Sequence, residues 1–318
     1  MSSIPRFLLG VLLLFPLALL AQGKKRPDQP LEMSRLPAVP TMPDAFPQVV
    51  GTQVFGPAYK FTKDEAVLEA AKGISAMGSR ILKINAVSGQ QLTPYIAMPF
   101  THYVLWYRST NDWTKGFTPE LKRREYNAVY LFTKDLLTRY DTAGKTFFLG
   151  HWEGDWYLLP DKDVKKDVSP ELAAAMVEWL NVRQKAVDDA RSEVPYAKCR
   201  VYTYAEVNRV RDAMKDGRKR MVNAVLPKVN VDFVSYSAYD CQLLPAEEVR
   251  ATLDYVNAQI PAKPGLPPKR VFIGEWGLSW KACGADGAKH DQRNREILAK
   301  FMTWKPVMTL FWQYYNNE

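Results

Sequence analysis

Beyond residue 46 the chain keeps one rhythm. Short runs dense in β-branched and aromatic residues alternate with longer stretches whose apolar residues recur at helical spacing. Runs of the first kind predict buried strands, and stretches of the second kind predict amphipathic helices packed by one face. The predicted strands are Val49–Phe55, Arg80–Ala86, His102–Ser109, Lys145–Trp156, Lys198–Val207, Val231–Asp240, Arg270–Gly277 and Val307–Tyr315. The predicted helices run from about Lys63 to Met77, Pro119 to Tyr140, the Ser169 N-cap to Ser192, Pro245 to Ala258 and Asp291 to Met302, with a short basic one after the fifth strand. Such alternation implies parallel strands joined by crossover helices. Eight units imply closure into a (β/α)8 TIM barrel rather than an open sheet. Nothing helical follows the eighth strand, so the closing C-terminal helix is expected to be absent. Either the sequence is truncated there or the N-terminal arm covers that groove.

The pattern divides the chain into three parts. Residues 1–21 read as an export signal: Arg6, an apolar run from Phe7 to Leu20, then the small Ala21. That run is short of the roughly 20 residues needed to span a bilayer. The expectation is therefore export, periplasmic or secreted, with no membrane span after cleavage rather than a retained anchor. Residues 22–46 hold five prolines and the basic GKKRP, and read as an extended linker or arm. Residues 47–318 form the barrel.

Composition adds limits. The 318 residues are 47% hydrophobic and 24% charged, which is ordinary for a globular chain with a sizeable core. The formal net charge of +9 serves solubility or attraction to acidic glycans. The basic residues form no stripe, so nucleic acid is not expected as a partner. With three histidines and no CxxC spacing, no metal site and no cofactor are expected. There is no glycine-rich phosphate loop, and Ser237 and Ser279 lack a nucleophile elbow. Of the three cysteines, Cys199 reads as a buried free thiol, while Cys241 and Cys283 fall at one end of the barrel, where a disulfide would staple neighbouring loops.

Barrel enzymes build their sites at the C-terminal ends of the strands. Seven of the nine tryptophans map there: Trp106, Trp113, Trp152, Trp156, Trp276, Trp280 and Trp312. Any one is as well explained by packing, but seven at one rim suggest flat faces for sugar rings. Two carboxylates stand out among them. Glu275 ends the apolar strand VFIGEW, where a charge has no solvation role. Glu153 lies in HWEGDW after the fourth strand, with Asp155 as its competitor. Glycoside hydrolysis needs such a pair flanking one bond.

FIGEWG on the seventh strand, with a Glu ending the fourth, resembles the clan A glycoside hydrolases, the superfamily of the family-5-like cellulases and mannanases. The resemblance implies retaining hydrolysis with Glu153 as acid/base and Glu275 as nucleophile. It implies that Tyr239 of SYSAYD bonds the nucleophile, with Tyr236 as second choice, and that Trp312 lies under the reacting sugar. His151, Trp152, Trp156, Tyr204, Asn208, Tyr236, Trp276 and Trp312 are the expected substrate contacts, the partner is a carbohydrate, and a monomer is expected. Two positions depart from the clan pattern: Trp152 stands where Asn precedes the acid/base, and Lys83 is the nearest cation where an Arg approaches the nucleophile. A non-catalytic glycan-binding barrel is the alternative, and a metal-dependent hydrolase a third reading.

Overall fold

The computed structural model describes residues 49–87, 92–109, 112–141 and 144–315. The expected signal and arm lie outside these residues. Eight parallel strands close a barrel in chain order: β1 Val50–Gln53, β2 Ile81–Val87, β3 His102–Arg108, β4 Thr146–Gly150, β5 Arg200–Val207, β6 Phe233–Ser237, β7 Val271–Trp276 and β8 Thr309–Phe311. Closure is made by β8 against β1, with Val50 opposite Thr309 and Thr52 opposite Phe311.

The helices are α1 Ala66–Ala76, α2 Thr93–Ile96, α3 Pro119–Arg139, α4 Gly154–Leu158, α5 Pro170–Glu193, α6 Val210–Asp216, α7 Ala246–Ala258 and α8 Gly287–Trp304. Their starts follow local chemistry. The Thr118 and Ser169 side chains accept from Leu121 N and Leu172 N, and each is followed by a proline at the first helical position. Asp286 caps α8 through Lys289 N, which starts that helix four residues before the expected Asp291.

Three apolar layers hold the barrel. Inside it, Ile81, Val104, Phe148, Tyr204, Phe233, Phe272 and Leu310 pack together. Two outer clusters join the strands to the helices, one built around β5–β7 with α5, α7 and α8, the other around β2–β4 with α1 and α3. Among the described residues no helix is long and apolar enough to cross a membrane.

Three expected strands are too long, for one physical reason. HWEGDW leaves β4 and coils into α4. The end of SYSAYD tightens into a 3-10 turn, Ala238–Asp240. After β8, Tyr314 and Tyr315 pack against the α1 side, where Tyr315 Oη donates to Glu69 Oε1 at 2.8 Å. In each case the aromatic-rich pattern runs on past the last ladder bond, because those residues face the pocket or pack on a neighbouring element and not in the sheet. The Cys241–Cys283 staple is not formed. All three cysteines are buried and none is in a disulfide; Cys199 Sγ bonds the Tyr140 carbonyl, and Cys241 packs into the apolar layer outside the strands.

Candidate active site

The pocket at the C-terminal ends of the strands has a volume of about 700 Å³. Its walls combine Phe55, Trp106, Trp152, Trp156 and Trp312 with Glu153, Asn208, Tyr239 and Glu275, and with Arg209 and Asp240. Glu275 enters from β7 at an irregularity. Tyr236 pairs with Ile273, but Ser237 already pairs with Glu275, and the register to β8 shifts over the same residues. Bulges of this kind re-aim a side chain at a barrel rim.

The two carboxyls have different partners. Glu275 Oε1 lies 3.2 Å from Lys83 Nζ, and its Oε2 accepts from Tyr239 Oη at 3.3 Å. Among the described residues Glu153 Oε2 accepts from one donor, the Trp156 indole N–H, at 2.7 Å. Burial pushes the Glu153 carboxyl up to about 7, and the Glu206 carboxylate adds to that rise. Burial also pushes Glu275 up to about 8, opposed by the Lys83 ammonium and aided by Glu206 and Glu153. Burial thus raises both carboxyls, and each charge raises the other. Their donors differ. An ionised Glu275 receives both Lys83 and Tyr239, whereas an ionised Glu153 would receive a single indole N–H. Burial and the charge of Glu275 push the Tyr239 hydroxyl far up, so it stays a donor.

Beneath the pair lies a residue that shares its face of β5 with Tyr204 but was not among the expected contacts. Glu206, on β5, is fully buried. Its Oε1 accepts the backbone N–H of Glu153 at 3.0 Å. Its Oε2 accepts from Lys83 Nζ at 3.0 Å and Ser235 Oγ at 2.6 Å. Lys83, the expected cation, spends its three donors on Glu206, Glu275 and the Gly274 carbonyl. It also sits 4.7 Å from the centroid of the Trp106 ring. Gly274 is required here, because a Cβ would lie 1.7 Å from Ser235 Oγ and 2.8 Å from Glu206 Oε2.

Of the expected contacts, Trp152, Trp156, Asn208 and Trp312 reach the pocket beside Glu153, Glu275 and Tyr239. Four do not. Trp276 follows Glu275 on the strand and so faces the other way, onto Phe301 and Phe311. Tyr236 likewise lies outside the barrel wall, bonded to Asp240. Tyr204 points inward but a layer lower, against Phe272 and in the space left by Gly150. His151 is buried below Glu153. Its Nδ1 bonds the Trp152 carbonyl at 2.9 Å, its Nε2 accepts from Glu206 N at 3.3 Å, and burial pushes it down to about 4.

The competitor Asp155 is spent on structure, accepting from Met221 N at 2.8 Å and from Asn208 N and Arg209 N at 3.1 Å. Its partner Asn208 returns the bond through Oδ1 to Asp155 N at 3.2 Å. Arg209 is held by Asp212 at 2.9 and 3.0 Å and lies 5.9 Å from the Trp156 ring centroid.

The tryptophan rim is smaller than expected. Trp106, Trp152, Trp156 and Trp312 line the pocket, while Trp113 stacks on Trp179 in the outer layer and Trp280 lies beside His290. Phe55 and Trp312 are stacked at 5.7 Å with planes 8° apart. Gln313 fixes that wall by accepting from Phe55 N at 2.8 Å and donating to Phe55 O at 3.2 Å. Among the described residues no group of three or more His, Cys, Asp or Glu is arranged to hold a metal ion.

No protein-family model and no curated protein matches the chain. Solved structures do. The chain is similar to a glycoside hydrolase 5 lichenase from Caldicellulosiruptor sp. F32 in complex with cellotetraose, at TM-score 0.50 and 12% identity, covering 93% of each chain. It is also similar to a GH5-4 broad-specificity endoglucanase from Bacteroides salanitronis, at TM-score 0.52 and 10% identity, covering 86% of each chain. At these identities the likeness is one of architecture: the chain is a closed (β/α)8 barrel of the kind those hydrolases use.

Proposed function

We propose that the protein is an exported clan A glycoside hydrolase that cleaves an oligo- or polysaccharide with retention at the anomeric carbon. One observation carries this reading: two buried carboxyls with unlike partners, Glu153 and Glu275, line a single pocket with an aromatic wall. Glu275, ionised beside Lys83 and Tyr239, attacks the anomeric carbon as the glycosidic C–O bond breaks. Glu153 gives its proton to the departing oxygen. Glu153 then takes a proton from water, the water oxygen attacks the same carbon, and the bond to Glu275 breaks. Trp152, Trp156 and Trp312 offer faces for sugar rings, and Asn208 an amide for hydroxyls. The reading of the N-terminus as an export signal rests on Arg6, Phe7–Leu20 and Ala21.

The test is hydrolysis of a panel of glycans. β-Glucans come first, because the two similar barrels are a lichenase and an endoglucanase. Reducing ends should appear, with the first product keeping the anomeric configuration of the substrate. Glu275→Gln should abolish turnover with the circular dichroism unchanged, and Glu153→Gln should lower kcat by about 10²–10⁴-fold. Glycan binding without turnover, indifferent to both substitutions, would make this a binding barrel. Trp152, in place of an amide beside Glu153, is the feature that favours that outcome. Mature protein recovered from periplasm or medium should begin near Gln22.

A further inference from the structure

We infer that Glu206 is a positioning residue for the carboxyl pair: it clamps the Glu153 turn by the backbone and sets a fixed negative charge beneath it that keeps the proton on Glu153. The catalytic consequence rests on the hydrolase reading; the clamp and the charge do not.

The geometry is specific. Glu206 Oε1 takes the N–H of Glu153 itself, 53 residues away in sequence, at 3.0 Å. Oε2 takes Lys83 at 3.0 Å and Ser235 at 2.6 Å, so one side chain ties β2, β6 and the β4 turn together. Gly274 leaves the space for it directly before Glu275. A fully buried carboxylate is a costly way to bridge strands, since neutral packing there is commonly as stable or more so. Its cost is explained if the charge itself is used.

The titratable groups facing Glu206 are Lys83 on β2, His151 and Glu153 after β4, Tyr157 on α4, Tyr204 on β5, Tyr239 after β6 and Glu275 on β7. His151 is neutral under this burial and the tyrosines remain protonated, so Lys83 is the cation set against three carboxyls. Lys83 lies between Glu206 and Glu275 and touches both. Among the described residues no ion pair reaches Glu153; burial raises its affinity for a proton, the negative charges of Glu206 and then Asp155 add to the rise, and Lys83 opposes it from a longer range. A neutral group at 206 would let Glu153 ionise earlier and leave the departing oxygen without its proton.

The experiment is a carboxyl NMR titration of protein labelled with 13C-glutamate, with Glu153 assigned from Glu153→Gln. In Glu206→Gln the Glu153 midpoint should fall by about one to two pH units, the size expected for losing one nearby buried charge. The descending limb of the pH–kcat profile should move with it. An unmoved Glu153 midpoint in folded Glu206→Gln overturns the inference. If that variant does not fold, Glu206→Asp decides, because it keeps the charge but shortens the reach. There the Glu153 midpoint should stay raised while the Glu153 amide exchanges at least about tenfold faster, the clamp being open. An unchanged exchange rate overturns the inference. The titration and the exchange need no turnover, so a protein that hydrolyses nothing would sink the proposed function and leave this inference to be judged separately.

Discussion

Lys83 Nζ lies 3.2 Å from Glu275 Oε1, while among the described residues the hydrogen-bond partner of the Glu153 carboxyl is the Trp156 indole N–H. In the proposed mechanism this asymmetry divides the labour of two carboxyls that burial raises together, Glu275 as nucleophile and Glu153 as acid. Below the first deprotonation of the pair, both are protonated and the nucleophile is disabled. Above the second, both are ionised and the acid is lost. Since burial raises them to about 7 and about 8, the bell-shaped kcat profile should peak near neutral pH and not in the acid range usual for free carboxyls. A peak below about pH 6 would contradict the environment described here.

Tyr239→Phe removes the one hydroxyl that donates to Glu275, at 3.3 Å. The expected result is a kcat/KM lower by roughly tenfold, the worth of one hydrogen bond to a charged group, with little change in melting temperature. An equal loss of stability would mark the hydroxyl as structural.

Trp152 and Trp276 make opposed predictions. Trp152 is half-exposed on the pocket wall and Trp276 is fully buried behind the barrel. Trp152→Ala should raise KM for a long glycan severalfold and leave thermal stability nearly unchanged. Trp276→Ala should cost about 3–5 kcal/mol of stability without a specific effect on KM. Steady-state kinetics beside denaturant melts separates the two.

Gly274→Ala places a methyl onto Ser235 Oγ and Glu206 Oε2. Overpacking of this kind should cost about 1–3 kcal/mol. Activity should fall further than stability, because the displaced Glu206 holds the Glu153 turn on which the proposed mechanism depends. Melts and kcat on the same preparation test this.

Acid stability should depend on Glu69, far from the pocket chemistry. Burial alone would raise its carboxyl, but Phe61 N, Thr62 and the Tyr315 hydroxyl donate to it and hold it at about 2, against 4.5 unperturbed. The folded-state value is depressed, so its contribution is complete above pH 4.5 and fades as pH falls from 4.5 towards 2. Glu69→Gln should lower the melting temperature at pH 7 and flatten its fall across that window.

Much was legible in the chain itself. Alternation of buried strands and amphipathic helices is a local property, so the order and number of elements follow from it. The rule that barrel chemistry gathers at C-terminal strand ends then puts Glu153 and Glu275 at one rim, where a single pocket holds both. The parity of a strand was legible too. Glu275 and Trp276 are neighbours, and neighbours on a strand face opposite ways, so Trp276 was never available to a pocket that holds Glu275. Tyr236, flanked by the inward Ser235 and Ser237, obeys the same rule.

Other features belong to the tertiary structure alone. Lys83 and Glu206 meet across 123 residues of chain, and Glu206 meets the Glu153 amide across 53. Neither pairing leaves a spacing or a motif, because a closed barrel brings strands together through register and not through sequence distance. Depth is equally nonlocal: Tyr204 and Glu206 share one face of β5, yet Tyr204 packs in the barrel layer against Phe272 while Glu206 lies directly beneath the carboxyl pair. The sequence by itself determined the elements and the two carboxyls at their ends. Only the closed barrel decided which carboxyl the cation touches, because strands distant in sequence meet through its register.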